Sequence, residues 1–220
     1  MTQSPEKKNQ MQAYLPYVVP FLVFAGFTYL VPLFNMSRFL VYPAKILSVL
    51  VLLFYFWPRI KEEIRPFWDM NAIMVGIAVF IIWIGLEGQY PQIGSPAGFN
   101  PYESGQGVYV ILSMGFRLFG AALVVPVIEE LFWRSFALRF LIDNNIRRIP
   151  LGSFSWFSFI FVSIAFGLEH HRWLPGIFAG MLYALLLYQR KNLFSPILAH
   201  GVTNLLLGIY VIVNQDWGYW

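Results

Sequence analysis

The chain has 220 residues, of which 58% are hydrophobic and only 12% are charged. An ordinary soluble domain has about a quarter of its residues charged, so this composition excludes a soluble fold and indicates an integral membrane protein. The absence of cysteine excludes disulfides, thiolate catalysis and Cys-ligated metals. The net charge of +4 does not indicate nucleic-acid binding, because the basic residues lie between apolar runs, where topology signals belong.

Apolar runs divide the chain into about seven candidate membrane spans, since a spanning helix needs roughly 20 mostly apolar residues. They cover residues 13–34, 39–57, 72–86, 108–141, 154–168, 174–188 and 193–213. The third, fifth and sixth runs are short, and the fourth is long enough to begin as a re-entrant or surface segment. The sequence therefore predicts an all-α fold, a polytopic transmembrane helix bundle.

The segments between these runs indicate one domain. The first run follows Lys7 and Lys8, as in a signal peptide, but it is too long and lacks a small-residue cleavage site, so we expect a retained span. Residues 87–107 are rich in Gly and Pro and predict one long exposed loop. We predict a cytoplasmic tail over residues 1–12 and one transmembrane domain over residues 13–215.

Lysine and arginine residues indicate the orientation, because they concentrate in cytoplasmic loops. In a seven-span bundle, four basic clusters fall on one side: Lys7 and Lys8; Arg59, Lys61 and Arg65; Arg147 and Arg148; Arg190 and Lys191. The opposite side carries an acidic loop and the aromatic tail at residues 217–220. We predict a cytoplasmic N-terminus and an outer C-terminus that this tail anchors at the interface.

Three short segments place polar side chains inside predicted helices, where such residues usually face a cavity or a partner. The first contains Glu129, Glu130 and Arg134. Neighbouring helical residues point about 100° apart, so the two glutamates face different ways. Glu130 and Arg134 have the spacing of an ion pair, which leaves Glu129 free to act as a general base in a cavity. Alternatively, the pair only locks two helices together.

The other two segments contain all three histidines of the chain. Phe166 and His170 share one helix face, so the phenyl ring can pack beside the imidazole. His200 and Asn204 share a face in the same way. An imidazole and an amide that point into one cavity can orient water or bind a carbonyl oxygen. If the three segments converge, they form one polar site inside an apolar bundle.

Other residues in these regions favour ordinary structural roles. We predict that three glycines serve helix packing: Gly76, Gly120 and Gly180. Arg117 and Arg139 are predicted to extend to the membrane interface. Glu169 and His171, beside the second segment, are predicted to lie at the surface.

The pattern Glu-Glu-x-x-x-Arg, then Phe-x-x-x-His, then His-x-x-x-Asn, each on its own helix, resembles the CPBP family of intramembrane proteases. That family contains the type II CAAX prenyl endopeptidases and bacterial relatives linked to bacteriocin processing and immunity. The resemblance runs over residues 126–207. Two departures are Ser135, where the family often has Gly, and His171, which doubles the histidine that Phe166 selects. Residues 133–136 are similar to a bacterial branch associated with exosortase-type sorting.

The resemblance implies peptide-bond hydrolysis in a cavity within the membrane, with a peptide or protein substrate and lipid as partners. Glu129 would activate water, His170 and His200 would position that water or bind a metal, and Asn204 would stabilise the oxyanion. Two His and one Glu also form a known catalytic zinc set. The same four residues can act without a metal, and the sequence leaves both mechanisms open. The bacterial relatives imply a multi-pass protein of the bacterial inner (plasma) membrane.

One expectation conflicts with this arrangement, and two alternative functions remain. At about 1.5 Å per residue, Glu129 lies far along an inward-running span and His170 far along an outward-running one, so straight spans place them at different depths. Intramembrane Glu and His also serve transporters and channels, although no inverted repeat is visible here. A non-catalytic immunity or scaffold protein is the third interpretation.

Overall fold

The computed structural model describes residues 5–33, 37–94 and 98–220. The predicted end of the first span at residue 34, the side chains of Lys7 and Lys8, and the side chain of Arg38 lie outside the described part. The bundle consists of α1 (Pro5–Leu33), α2 (Arg38–Ile60), α3 (Met70–Gly85), α4 (Val108–Phe140), α5 (Trp156–Leu168), α6 (Trp173–Arg190) and α7 (Phe194–Asn214). The described ranges contain no strand, which confirms the all-α prediction.

Four of these helices carry stretches long and apolar enough to cross a membrane. They are Asn9–Tyr29, Phe39–Glu63, Val108–Phe140 and Phe194–Asn214, and the shorter helices α3 and α5 are apolar as well. The outer face of α2 shows why lipid suits this surface, since Leu47, Val51 and Phe54 are exposed there while Ile46 and Val49 are buried. The chain is an integral membrane protein, and the number of seven spans stays a prediction.

Glycines bring the helices close to one another around the centre of the bundle. A Cβ atom at Gly76 of α3 would lie 2.5 Å from the Ala199 carbonyl of α7, and one at Gly120 would lie 2.4 Å from the Tyr42 hydroxyl. At Gly180 of α6 it would lie 2.9 Å from Ser163 of α5. The predicted packing role of Gly76, Gly120 and Gly180 is confirmed.

The fourth helix is continuous over 33 residues, so it does not begin as a separate re-entrant segment. Two stretches of it, Gly120–Val124 and Leu131–Ala137, are π-helical. Such wide turns are rare in proteins overall, and many of those that occur lie at functional sites. They flank the segment Val125–Glu130, which carries the two glutamates.

The α3–α4 connection is packed more closely than the predicted exposed loop. Phe99 is buried and meets the rings of Tyr42 and Trp220. Near the start of the connection, the Arg172 guanidinium lies 2.7 Å from the Glu87 carboxylate. The prediction of an exposed loop is therefore wrong for this part, because aromatic and charged side chains attach it to the bundle.

Arg139 does not extend to the membrane interface, so that prediction is wrong as well. Its side chain is buried, and its Nη2 atom donates to Glu63 Oε1 at 2.9 Å. The same carboxylate oxygen accepts from the Tyr17 hydroxyl at 2.9 Å. This cluster connects α1, the turn after α2, and α4, so Arg139 meets a carboxylate inside the protein.

Asp69 fastens the other helices at the same end of the bundle. It caps α3 by accepting from the Asn71 and Ala72 amides, and it accepts from Arg190 at 3.0 Å and Ser195 at 2.7 Å. Burial alone raises the pKa of Asp69, but the hydrogen bonds from Ser195 and Arg190 outweigh burial and hold the pKa below its ordinary value.

The two ends of the bundle are built from different parts of the chain. One end holds the α2–α3 turn, the α4–α5 connection and the α6–α7 turn, and Arg59 and Arg147 line one pocket there. The other end holds the α3–α4 loop, the α5–α6 turn and the C-terminal tail, which Arg172 joins by donating to the Gly218 carbonyl. The basic clusters in the described residues thus gather at the first end.

Candidate active site

The expected difference in depth between the first two polar segments is absent. Measured from the α4–α5 connection, Glu129 lies about 16 Å along α4 and His170 about 21 Å along α5, at roughly 1.5 Å per residue. The two segments touch, since Trp133 Nε1 donates to Glu169 Oε2 at 3.0 Å. The expectation was wrong because α4 is much longer than a minimal span and α5 is much shorter.

All three polar segments meet at one cavity of about 390 Å³. Five of the predicted site residues line it: Glu129, Phe166, His170, His200 and Asn204. Its mouth is lined by residues of the α5–α6 turn and the C-terminal tail, so it opens toward the end of the bundle away from the basic clusters. The sequence patterns therefore identified side chains that lie together in space.

Glu130 lies behind the cavity wall, where it has two partners. Its Oε2 atom lies 3.0 Å from Arg134 Nε, and neither side chain has any exposed surface. Its Oε1 atom lies 2.9 Å from His200 Nδ1. The ion pair follows the predicted i, i+4 spacing, whereas the contact with His200 joins α4 to α7 and has no signal in local spacing.

The contact with Glu130 determines which nitrogen of His200 faces the cavity. A neutral imidazole that donates Nδ1–H to a carboxylate has its lone pair on Nε2. That Nε2 atom lies 3.9 Å from Glu129 Oε2. Glu129 is 6% exposed, and its Oε2 atom has no hydrogen-bond partner within the described residues. Two polar atoms at this separation can be bridged by one water molecule.

His170 is held from its own helix and by aromatic rings. Its Nδ1 atom lies 2.8 Å from the Phe166 carbonyl oxygen, which cannot donate, so Nδ1 donates and Nε2 bears the lone pair. The Phe166 ring packs beside the imidazole with a centroid separation of 5.0 Å, as predicted. Trp83 of α3 meets the imidazole edge to face at 5.5 Å.

Pro126 accounts for the position of Asn204. The Val125 amide donates to the Gly120 carbonyl in the first π-helical stretch, and Pro126 has no N–H, so neither residue satisfies the Ala121 carbonyl. Asn204 Nδ2 donates to that carbonyl at 2.8 Å. One N–H of the amide group is thus used to fix the side chain, and the second is left for a ligand in the cavity.

Tyr183 of α6 is a part of the site that no sequence pattern indicated. Its ring stacks on His200 at 5.1 Å, and its hydroxyl donates to Thr203 at 2.8 Å. On the same side, the Arg134 guanidinium lies 4.1 Å from the centre of the Phe166 ring. These aromatic faces surround the Arg134–Glu130–His200 chain and restrict the movement of the imidazole. An isolated Tyr in an apolar helix gives no such signal.

Three residues with predicted surface or interface roles differ in outcome. His171 is exposed, and its Nδ1 atom contacts the Ile93 carbonyl at 2.6 Å, in agreement with a surface role. Glu169 is exposed as predicted, and its carboxylate accepts from Trp133. Both residues also line the cavity. Arg117 also lines the cavity and does not simply extend to the interface, because α4 directs it inward.

The two histidines share one feature of metal ligands. Both histidines use Nδ1 for an internal hydrogen bond, which is the usual support of a metal-bound imidazole. However, no three His, Asp or Glu side chains are grouped as ligands of one ion in residues 5–33, 37–94 and 98–220. The candidate set Glu129, His170 and His200 therefore does not form a ligand shell in this arrangement.

Comparison with family models matches residues 111–206 to the type II CAAX prenyl endopeptidase Rce1-like family. The matched range contains all three polar segments and supports the resemblance drawn from them. Comparisons with curated proteins and with solved structures gave no match.

Proposed function

Since residues 111–206 match the Rce1-like family of type II CAAX prenyl endopeptidases, we propose that this chain is an intramembrane endopeptidase in which Glu129 activates water. The observation that carries this mechanism is the gap of 3.9 Å between Glu129 Oε2 and His200 Nε2 inside the cavity. Both atoms are acceptors, so one water molecule donates a proton to each and turns its lone pair toward the substrate. Glu130 holds His200 in the tautomer that this requires.

Hydrolysis then follows the ordinary course of general base catalysis. The water oxygen forms a bond to the peptide carbonyl carbon while Glu129 takes the water proton. The carbonyl oxygen becomes an oxyanion, which accepts a hydrogen bond from the second N–H of the Asn204 amide. The C–N bond breaks as protonated Glu129 returns its proton to the leaving amine nitrogen. His170, whose Nε2 atom is an acceptor, positions the water or the substrate beside Phe166.

The cavity mouth bears on the class of substrate. It lies at the end of the bundle opposite the basic clusters, and the distribution of Lys and Arg favours a position of that end outside the cytoplasm. We therefore propose a substrate anchored in the membrane, such as a lipidated or sorted protein, that approaches from the outer side. For a bacterial plasma membrane with a cytoplasmic N-terminus, this favours an exported substrate over a cytoplasmic prenylated one.

Cleavage by purified protein in lipid nanodiscs tests the proposal. The substrate is a degenerate pool of lipid-anchored peptides, and mass spectrometry identifies the products. We expect cleavage by the native protein and a loss of at least 100-fold in Glu129→Gln, the order of a general-base contribution. A liposome assay that showed proton or ion flux without any cleavage would instead support a transporter. Equal cleavage by both proteins would contradict the role of Glu129.

A further inference from the structure

Two cationic side chains lie together at the side of the cavity formed by α1: Arg117 of α4 lines the cavity, and Lys45 of α2 lies behind the α1 residues that line it. Lys45 of α2 is 7% exposed, and its Nζ atom lies 3.2 Å from Thr28 Oγ1 and 3.9 Å from the centre of the Phe24 ring. Phe24, Thr28 and Arg117 all line the cavity. The Arg117 guanidinium lies 4.7 Å and Lys45 Nζ lies 5.0 Å from the centre of the Tyr42 ring, so both cations contact the same aromatic ring.

Neither cation has a carboxylate partner among the residues that the structure describes. The buried arginines elsewhere in that part of the chain do have one: Arg134 with Glu130, Arg139 with Glu63, and Arg172 with Glu87. Arg117 Nε is buried and has no hydrogen-bond partner there. Two like charges that lie close together repel each other, and this repulsion is stronger where the protein shields them from water. An anion bound between them would relieve it, so such a pair is a candidate anion site.

The position of Lys45 argues for a ligand in the cavity and against a lipid headgroup. Lys45 points inward to two cavity-lining residues of α1, while its neighbour Leu47 is exposed on the outer face. A headgroup bound at the bilayer surface would need the charge on the outer face. An anion inside the cavity needs the charge on the inward face beside Phe24 and Thr28, which is where Lys45 lies.

We propose that Lys45 and Arg117 form an anion-binding subsite that takes a carboxylate of the peptide substrate, an inference that rests on the proposed peptidase function. The carboxylate is either the chain end or an acidic side chain, since both present the same group to the cations. A charge-assisted contact to a carboxylate supplies the missing partner of each cation.

The spacing along α4 sets the distance from this subsite to the scissile bond. Arg117, Ala121, Val125 and Glu129 follow one another at intervals of four residues, and all four line the cavity. At about 1.5 Å per residue, Arg117 lies at most about 18 Å from Glu129 along the helix. An extended peptide advances about 3.4 Å per residue, so the carboxylate lies roughly five residues from the bond that is cut.

Binding to the inactive variant Glu129→Gln tests the subsite separately from cleavage. The probe is a fluorescent pool of palmitoylated hexapeptides of Ala, Val, Leu, Ile and Ser, made as free acids, as C-terminal amides, and as amides with one Asp. We expect the free acids or the Asp peptides to bind about 10-fold more tightly than the plain amides, and the tighter form identifies the source of the carboxylate. Equal binding of all three peptide pools, or binding of none of them, overturns the proposal.

Variants then assign the preference to the two cations. Arg117→Gln and Lys45→Met in the Glu129→Gln protein should each remove the 10-fold preference and leave amide binding unchanged, whereas Arg148→Gln at the opposite end should keep it. Because the cations repel each other, the melting temperature of the unliganded protein should not fall in Lys45→Met. A fall of 5 °C or more would mean a structural role and overturn the proposal. A second result would also overturn the proposal: phosphatidylglycerol nanodiscs stabilise the native protein, and Arg117→Gln abolishes this stabilisation without affecting peptide binding.

If the native protein cleaves no peptide but the Glu129→Gln protein still prefers carboxylates, the peptidase mechanism fails and the subsite stands. If the native protein cleaves acids and amides equally well, the subsite fails and the mechanism stands. The two proposals therefore have separate outcomes.

Discussion

Replacing Glu130 by Gln should destabilise the protein, because it leaves the Arg134 charge buried without a carboxylate. Both side chains have no exposed surface, and the ion pair spans 3.0 Å. Removing one partner of a buried ion pair costs about 3–5 kcal/mol. Gln also retains one carbonyl oxygen that can still accept from His200 Nδ1, so we expect the loss to come mainly from the uncompensated guanidinium.

That magnitude corresponds to a measurable change in melting temperature. For a chain of this size, each 1 kcal/mol lowers the melting temperature by about 2–4 °C, so Glu130→Gln should melt roughly 10 °C lower than the native protein. Intrinsic tryptophan fluorescence of the purified protein in detergent measures the transition. The double variant Glu130→Gln with Arg134→Met removes the stranded charge and should recover part of the loss, as expected for directly coupled side chains.

Glu129→Gln is the matched control, since it makes the same chemical change at the adjacent residue. Glu129 Oε2 has no partner in the described residues, so the amide leaves no charge stranded and the melting temperature should change by less than about 2 °C. Its effect should appear in cleavage instead. If Glu129→Gln lost the stability and Glu130→Gln kept it, the assignment of the two roles would be reversed.

Three further predictions concern other parts of the molecule. The pKa of Asp69 is lowered in the folded protein. Its contribution to stability is therefore complete above the unfolded pKa of about 3.9 and is lost as the pH falls through the lower folded value. Asp69→Asn should cost about 1–3 kcal/mol near neutral pH and remove this acid dependence from melting curves. Treatment with a strong chelator should leave cleavage intact, and loss of stoichiometric zinc together with activity, restored by zinc, would refute this. Reporter fusions after Lys191 and after Trp220 should lie on opposite sides of the membrane, and the same side for both would contradict seven spans.

The sequence predicted the helices well because their signal is local. Each apolar run in the predicted list corresponds to one helix of the structure, and α4 and α7 agree to within one residue at both ends. In a membrane protein, length and composition alone indicate a helix, since the backbone must satisfy its hydrogen bonds within the segment. The lengths of α4 and α5 were predicted, but the position of each helix along the other was not visible in this signal, and the depth expectation failed for that reason.

Within the site, pairs on one helix were predictable and pairs between helices were not. The i, i+4 spacing predicted the Glu130–Arg134 ion pair and the Phe166–His170 packing. The bond from His200 to Glu130 joins residues on two helices, and no periodic pattern encodes it. Arg139 was assigned to the interface because its partner, Glu63, lies on a different segment.

The doubled glutamate has a physical explanation once both partners are known. The Glu130 carboxylate makes a good support, since Arg134 lies against one of its oxygens and His200 donates to the other. A carboxylate with an unpaired oxygen can take a proton but cannot fix the imidazole opposite it. Adjacent positions on one helix point about 100° apart and therefore separate these two demands. Glu130 faces the protein and holds His200, and Glu129 faces the cavity at 3.9 Å from the same ring. Exchanging the two environments would require turning the helix, which Pro126 and the π-helical stretches on either side hold in its present phase.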